Sequence, residues 1–292
     1  GVSKVQALSP SLDVQGWQSL HSVVQVVTDD MPFLVDSVSA ELSQQGRSIR
    51  VVIHPRFWVM RDAQGELVEI LDRDVLPGES APEGALQESW ISVEIDRETD
   101  SADLAAIVTR IQQVLVDVRA TVEDWPAMQA KLTSVISEIE TAAGVSDRER
   151  REAIEFLNWL TENHFTFVGY ADYDLTKNVL SRVGGSELGA LRNPDDGNPV
   201  NKNEQDHSSI SSLMVVTKAR MRSTVHRPVF LDYVGIRRVD ASGKQIGEHR
   251  FLGLFSSAAY NQSVTNIPVL SSKVVDVTES MALGRDSHSG KD

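Results

Sequence analysis

The order of apolar patterns in the first 125 residues constrains the fold most. A β-branched run at 22–28 is followed by Leu34, Val38 and Leu42, whose spacing of four is the period of an amphipathic helix. Strand-like stretches follow at 49–60, 90–95 and 118–122, and a second helical stripe lies at 104–115. This order predicts a ferredoxin-like βαββαβ domain over residues 15–125, whose antiparallel sheet has one face free to pair with a partner.

Local signals place the boundaries of the first helix and strands. Asp30 is the predicted N-cap of the first helix, with Pro32 in its first turn and Gly46 at its end. His54-Pro55 interrupts the second strand, because proline cannot donate to a strand ladder. The turn at 63–66 predicts a hairpin into residues 67–71.

The remainder of the chain predicts a helical linker and a second domain, and so an α+β protein. Residues 126–163 read as two helices, the second opened by a capping box at Ser146 and Glu149. Residues 164–260 then read as five antiparallel strands, at 165–175, 179–183, 212–219, 229–239 and 249–257. We interpret them as a PAS-like sheet domain, with a second ferredoxin-like unit as the competing fold. Residues 261–292 are predicted to be an extended C-terminal segment leading to further domains.

Charge and composition exclude several classes of protein. The chain has 28 basic and 42 acidic residues and a net charge of −14, which argues against nucleic acid as a partner. Residues 1–145 carry 10 of the basic and 23 of the acidic side chains, so the charge changes near the predicted domain boundary. The lack of cysteine and of long apolar runs indicates a cytoplasmic protein without a membrane span. A start at Gly1 suggests a piece of a longer protein.

Two groups of residues are candidate binding sites. The first is the turn before the first helix, where backbone N–H groups could hold a carboxylate; it consists of Asp29, Asp30, Met31, Pro32, Phe33 and Leu34. A metal or general-base role for its acids is the weaker interpretation, since acids are favoured at helix starts. The second is a basic patch that could dock an anion or an acidic surface, or simply be a solvated strand face; it consists of Lys218, Arg220, Arg222, Arg227, Arg237 and Arg238.

No motif for catalysis, metal binding or nucleotide binding is present in the sequence. The glycines at 184–189 are not followed by the Lys-Ser/Thr pair of a phosphate loop. The seven histidines lack the spacing of a zinc site, and there is no Gly-x-Gly-x-x-Gly pattern. We therefore predict no catalytic, metal or cofactor-binding residues in this chain.

Three long segments together point to a family. They are VVTDDMPFLVDSVSAEL (26–42), EFLNWLTENHFTFVGYADYDL (155–175) and HRFLGLFSSAAYNQSVTNIPVL (249–270). They closely resemble the N-terminal region of the very large bacterial NAD-dependent glutamate dehydrogenases, as do residues 218–240 and 284–292. The resemblance implies a parent oxidoreductase that converts L-glutamate to 2-oxoglutarate and ammonia with NAD, bound in a catalytic domain beyond residue 292.

The same resemblance implies an ACT-type domain followed by a PAS-like domain. ACT domains commonly bind amino acids at the turn between first strand and first helix, where the usual pattern is Asp-x-Pro-Gly. Asp30-Met31-Pro32 fits that pattern, but Phe33 replaces the glycine, and its ring could fill the ligand pocket. We therefore expect a regulatory and oligomerisation segment that contacts other domains and subunits of a homo-oligomer, such as a tetramer. The alternative is an allosteric sensor of a small molecule such as an amino acid, bound at this turn or inside the PAS-like sheet.

Overall fold

The computed structural model describes residues 2–72, 80–192, 212–263 and 266–268, which form two units. Unit 1 comprises residues 1–122 and 223–229, and unit 2 comprises residues 123–222 and 230–292. The elements in chain order are β1 (Lys4–Leu8), α1 (Leu12–Gln15), β2 (Ser22–Asp29), α2 (Leu34–Gln44), β3 (Ile49–Ile53), β4 (Arg56–Arg61), β5 (Leu67–Ile70), β6 (Leu86–Ile95), α3 (Ser101–Thr141), α4 (Asp147–Trp159), β7 (Phe165–Thr176), β8 (Val179–Arg182), β9 (Leu188–Gly189), β10 (Met214–Arg222), β11 (Phe230–Val239), β12 (Gln245–Phe255) and α5 (Ser257–Tyr260).

The sheet of unit 1 is antiparallel and has one covered face. Its strands run in the order β1-β2-β6-β4-β5, and β3 also pairs with β6. Along the central strands, Val24, Val26 and Val93 are at most 1% exposed, whereas the alternate residues Gln25 and Ser92 are half-buried. This alternation is expected when helices cover only one side of an antiparallel sheet. The predicted break at His54-Pro55 and the hairpin after β4 are confirmed.

The prediction of a closing strand over 118–122 is wrong, because α3 continues through these residues as far as Thr141. Their β-branched composition indicates a strand, but Ile111, Val114, Val118 and Thr121 recur at helical spacing and are at most 2% exposed. The outer place beside β2 is taken instead by β1, which pairs antiparallel with it. Unit 1 therefore begins before residue 15, where the sequence pattern places the start of the domain.

The sheet of unit 2 contains the five predicted strands. They run antiparallel in the order β10-β11-β12-β7-β8, and the short β9 pairs with β7. The largest difference from the predicted bounds is at β12, which begins at Gln245 rather than at His249. The α+β class with two antiparallel sheets is confirmed, and the PAS-like identity of this sheet stays a prediction. Most of the C-terminal segment predicted over 261–292 lies outside the described residues.

The predicted helical linker forms part of the core of unit 2. The apolar stripe of α3 beyond residue 122 and that of α4 belong to the same buried cluster as the strands. Representative members are Leu132 and Val135 of α3, Leu157 of α4, and Phe167 and Phe251 of the sheet. The capping box at the start of α4 is confirmed, with Ser146 and Glu149 bonded reciprocally. These helices cover one face of the sheet, and linking is only part of their role.

Candidate functional site

The candidate turn of unit 1, residues 29–34, starts α2 in an unusual way. Phe33 is the N-cap, with φ 71° and ψ −1°, a left-handed conformation that glycine adopts far more readily than phenylalanine. The prediction that Asp30 caps the helix is wrong. Its carboxylate is held on β6, where it accepts hydrogen bonds from the Ser89 hydroxyl and from Gln87 Nε2, the latter at 2.9 Å.

The remaining residues of the turn are divided between an ion pair, the surface and the core. Asp29 lies 2.8 Å from Arg119 of α3. Met31 is half-buried and Pro32 is exposed, whereas Leu34 is 2% exposed and belongs to the core. The surface of the turn therefore consists of the exposed Pro32, the half-buried Phe33 and the exposed Asp36 in the first turn of α2.

A distant segment of the chain, residues 223–229, covers that surface within unit 1. The ring of His226 lies 5.3 Å from the ring of Phe33, centroid to centroid. The backbone N–H of His226 donates to the Ser37 hydroxyl at 2.8 Å, and its Nδ1 lies 3.0 Å from Asp36 Oδ2. The place where an ACT ligand would approach the helix start is therefore occupied by the chain itself.

A second contact anchors the same segment on α3. The Thr224 hydroxyl donates to Asp117 Oδ2 at 2.8 Å, and Gln113 donates to the other carboxylate oxygen at 3.1 Å. Burial raises the pKa of Asp117, and these two hydrogen bonds only partly oppose the rise. Val225, between the two anchoring residues, is fully buried. The segment therefore combines two polar anchors with a buried apolar side chain.

The six residues of the predicted basic patch are divided between the two units. Arg227 lies in unit 1 and the other five lie on β10 and β11 of unit 2. Most of those five contact neighbouring strand residues: Lys218 with Asp232 (2.7 Å), Arg222 with the ring of Phe230 (4.6 Å), Arg237 with Gln245 (3.0 Å) and Arg238 with Asp174 (2.9 Å). Arg220 is exposed on β10. Arg238 is also one of the residues lining a cavity, described below.

Sequence reasoning misses a polar cluster in unit 2, in which Tyr170 and His249 are buried and Glu138 is exposed. His249 Nδ1 lies 2.7 Å from Asp172 Oδ1, and its Nε2 lies 3.0 Å from Glu138 Oε2. The Tyr170 hydroxyl donates to Asp172 at 2.6 Å. Burial alone would raise the pKa of Asp172, but the hydrogen bonds from His249 and Tyr170 outweigh it and lower the pKa to about 2. The period-two spacing of Tyr170 and Asp172 on one strand is the signal that could have indicated this cluster.

A cavity of about 450 Å³ lies beside this cluster. Its apolar wall includes Val135, Ile139, Ile236, Val239 and Ile246, and its charged wall includes Glu138, Arg237, Arg238, Asp240 and His249. This volume is within the range of sites for small organic molecules. The combination of an apolar wall and a few charged groups makes it the second candidate site.

The described residues offer little to a metal or a dinucleotide. No group of three or more His, Asp or Glu side chains in the described ranges is placed to hold a metal ion. Both sheets are antiparallel, so the part of the chain that is described has no strand–turn–helix unit of a parallel dinucleotide-binding sheet. Of the described helices, none is sufficiently long and apolar to cross a membrane.

Comparison with known proteins gives one consistent relationship. Residues 1–111 match the family model described as glutamate dehydrogenase, ACT1 domain. The NAD-specific glutamate dehydrogenases of Halomonas elongata and Pseudomonas aeruginosa are each 36% identical over 99% of this chain. That of Mycobacterium tuberculosis is 31% identical over 92% of it. The chain spans only 18%, 18% and 16% of the length of these three relatives.

Proposed function

Since residues 1–111 form the ACT1 domain of the glutamate dehydrogenase family and nearly the whole chain is related to NAD-specific glutamate dehydrogenases, we propose that it is a non-catalytic regulatory and assembly segment of such an enzyme. The parent would oxidise L-glutamate to 2-oxoglutarate and ammonia with NAD. Another part of the parent would bind the cofactor NAD. The partners of this segment would be other domains and subunits of the same homo-oligomeric enzyme.

The observation that carries the proposal is the covered turn of unit 1. An effector at the start of α2 would have to displace the His226 ring from Phe33 and its backbone N–H from Ser37. Phe33 stands where the usual ACT pattern has glycine and has φ 71°, a conformation that glycine adopts more readily than other residues. The turn is thus built for internal packing, which supports a role in holding the segment 223–229 rather than in binding an amino acid there.

The test uses the full-length protein that contains this chain. We expect glutamate-dependent reduction of NAD by that protein, and a defined oligomer by light scattering. His226→Ala removes the ring contact and the contact with Asp36, so we expect it to change the oligomer distribution or the cooperativity of glutamate saturation. The half-buried His21, paired at 3.5 Å with Glu94, provides the control variant His21→Ala.

Two outcomes would contradict the proposal separately. No glutamate-dependent activity in the full-length protein would refute the assigned parent reaction. Unchanged mass and unchanged cooperativity in His226→Ala, with the variant folded by circular dichroism, would refute the regulatory role of the covered turn. A second candidate function, sensing of a small molecule by unit 2, is favoured by the cavity beside His249.

A further inference from the structure

We propose that the cavity of unit 2 binds a small monocarboxylate with an apolar body, held by the guanidinium of Arg238. The proposal names a class of ligand for the second candidate function, small-molecule sensing by unit 2. It rests on that function only for the biological role of the bound ligand. Binding itself is a property of this chain, and it is tested without any enzyme activity.

The polar groups that line the cavity differ in how far their neighbours satisfy them. Asp240 Oδ1 accepts from the Ser242 N–H (2.8 Å), the Ser242 hydroxyl (2.6 Å) and the Lys244 N–H (3.1 Å). Glu138 Oε2 contacts His249, and Glu138 Oε1 accepts a long bond of 3.4 Å from Ser134. The two acids are thus already engaged with donors of the chain.

Arg238 has donor capacity left over. Its Nη1 contacts Asp174 Oδ1 at 2.9 Å and the Tyr173 carbonyl oxygen at 3.4 Å. An arginine has five N–H donors in a planar fork, and these two contacts use one of its three nitrogens. Its side chain is 28% exposed and lines the cavity. A planar fork of this kind matches the two oxygens of a carboxylate.

The remaining walls select the kind of anion. Val135, Ile139 and Ile236 are at most 3% exposed and form an apolar surface that inorganic phosphate would leave uncovered. Three carboxylates, those of Glu138, Asp174 and Asp240, lie on or next to the charged wall, and their charge disfavours a dianion more than a monoanion. A branched carboxylate of five or six carbons would place its charge at Arg238 and its alkyl group on the apolar wall.

The experiment is a calorimetric titration of the full 292-residue chain at pH 7 with three probes. They are 4-methylpentanoate, the matched neutral amide 4-methylpentanamide, and inorganic phosphate. We expect 4-methylpentanoate to bind at least about tenfold more tightly than either of the others, as loss of a charge-assisted hydrogen bond requires. Equal binding of the amide, or tighter binding of phosphate, would overturn the proposal.

Two variants with opposite expected effects keep the test independent of folding. Arg238→Gln should weaken binding of 4-methylpentanoate at least about tenfold. Asp174→Asn removes a carboxylate that competes for Arg238, so it should leave binding unchanged or strengthen it. Arg148→Gln, which alters an arginine paired with Glu152 on α4 and outside the cavity wall, should have no effect. Unchanged binding in Arg238→Gln, or loss of binding in Asp174→Asn with its fold intact, would refute the assignment.

Discussion

Asp172 concentrates several interactions on one partly buried carboxylate. Its side chain is 16% exposed, and it is bonded by His249 and Tyr170. Its pKa is lowered from 3.8 to about 2, so the charged form stabilises the folded state above pH 3.8 and this stabilisation is lost as the pH falls through 2. The shift corresponds to about 2 kcal/mol. We expect Asp172→Asn to lower the free energy of unfolding by about that amount at pH 7, and by less at pH 3, measured by urea denaturation.

The neighbouring Asp174 provides the control for this prediction. Its side chain is 60% exposed and pairs with Arg238, and exposed ion pairs contribute at most about 1 kcal/mol. Asp174→Asn should therefore change stability less than Asp172→Asn at pH 7. An equal loss in both variants, or a loss in Asp172→Asn that does not diminish at pH 3, would contradict the account.

Some features of the candidate site can be predicted from the sequence, and others cannot. Phe33 replaces glycine in a known pattern, so the sequence alone predicts that its ring could fill the turn. That His226 covers Phe33 is not predictable in the same way, because the two residues are 193 positions apart and no local period relates them. The contacts of His249 are not predictable for the same reason, since Glu138 comes from a helix and Asp172 from another strand. Only the pair of Tyr170 and Asp172 is related by a local period, two residues along β7.

At the scale of elements, Arg150 secures the end of the longest helix. Its guanidinium donates to the carbonyl oxygens of Glu140 (2.7 Å) and Ala142 (3.1 Å), and also to that of Ile139. The last carbonyls of a helix lack partners within the helix, so this side chain replaces several missing hydrogen bonds at once. We expect Arg150→Lys to cost about 1–2 kcal/mol, because an ammonium cannot present donors in the same fork.

Urea denaturation at pH 7 measures this effect, and Arg151→Ala is the matched control. Arg151 is the next residue on α4 and is exposed, and its replacement should stay within about 0.5 kcal/mol. If Arg150→Lys is as stable as the original chain, the capping role is wrong. The test also separates charge from geometry, since lysine keeps the positive charge near the end of α3.

The elements were predictable where the local composition and the turn residues agree. In unit 2, runs rich in β-branched and aromatic residues, separated by turn residues, identify β7, β8, β10, β11 and β12 to within a few residues. In unit 1, residues 118–122 were misassigned because two valines and a threonine suggest a strand, whereas burial of Val114, Val118 and Thr121 on one helical face decides for α3. At these residues, packing of the helix outweighs the strand preference of the local composition.

At the scale of the whole molecule, each of the two units consists of two separate stretches of the chain. The chain passes from one unit to the other after residues 122, 222 and 229. The charge change in the sequence indicates a boundary near residue 145. The first passage between units lies after residue 122, within α3, which continues as far as Thr141. The sequence does not indicate the passages after residues 222 and 229. Residues 223–229 lie between two strands of unit 2 in the chain, and no break in composition sets them apart.

Because residues 223–229 belong to unit 1, a substitution in this segment should destabilise unit 1 rather than the strands of unit 2 that flank it in the chain. Val225 is fully buried, so Val225→Ala should remove about 2 kcal/mol of packing. Hydrogen exchange of the full chain should then show faster exchange in the first turn of α2 and near Asp117, rather than at the centres of β10 and β11. Val216→Ala, at a 42% exposed position of β10, is the control and should leave both regions unchanged. Faster exchange confined to β10 and β11 in Val225→Ala would show that the segment is stabilised by unit 2, and that the covered turn does not hold it.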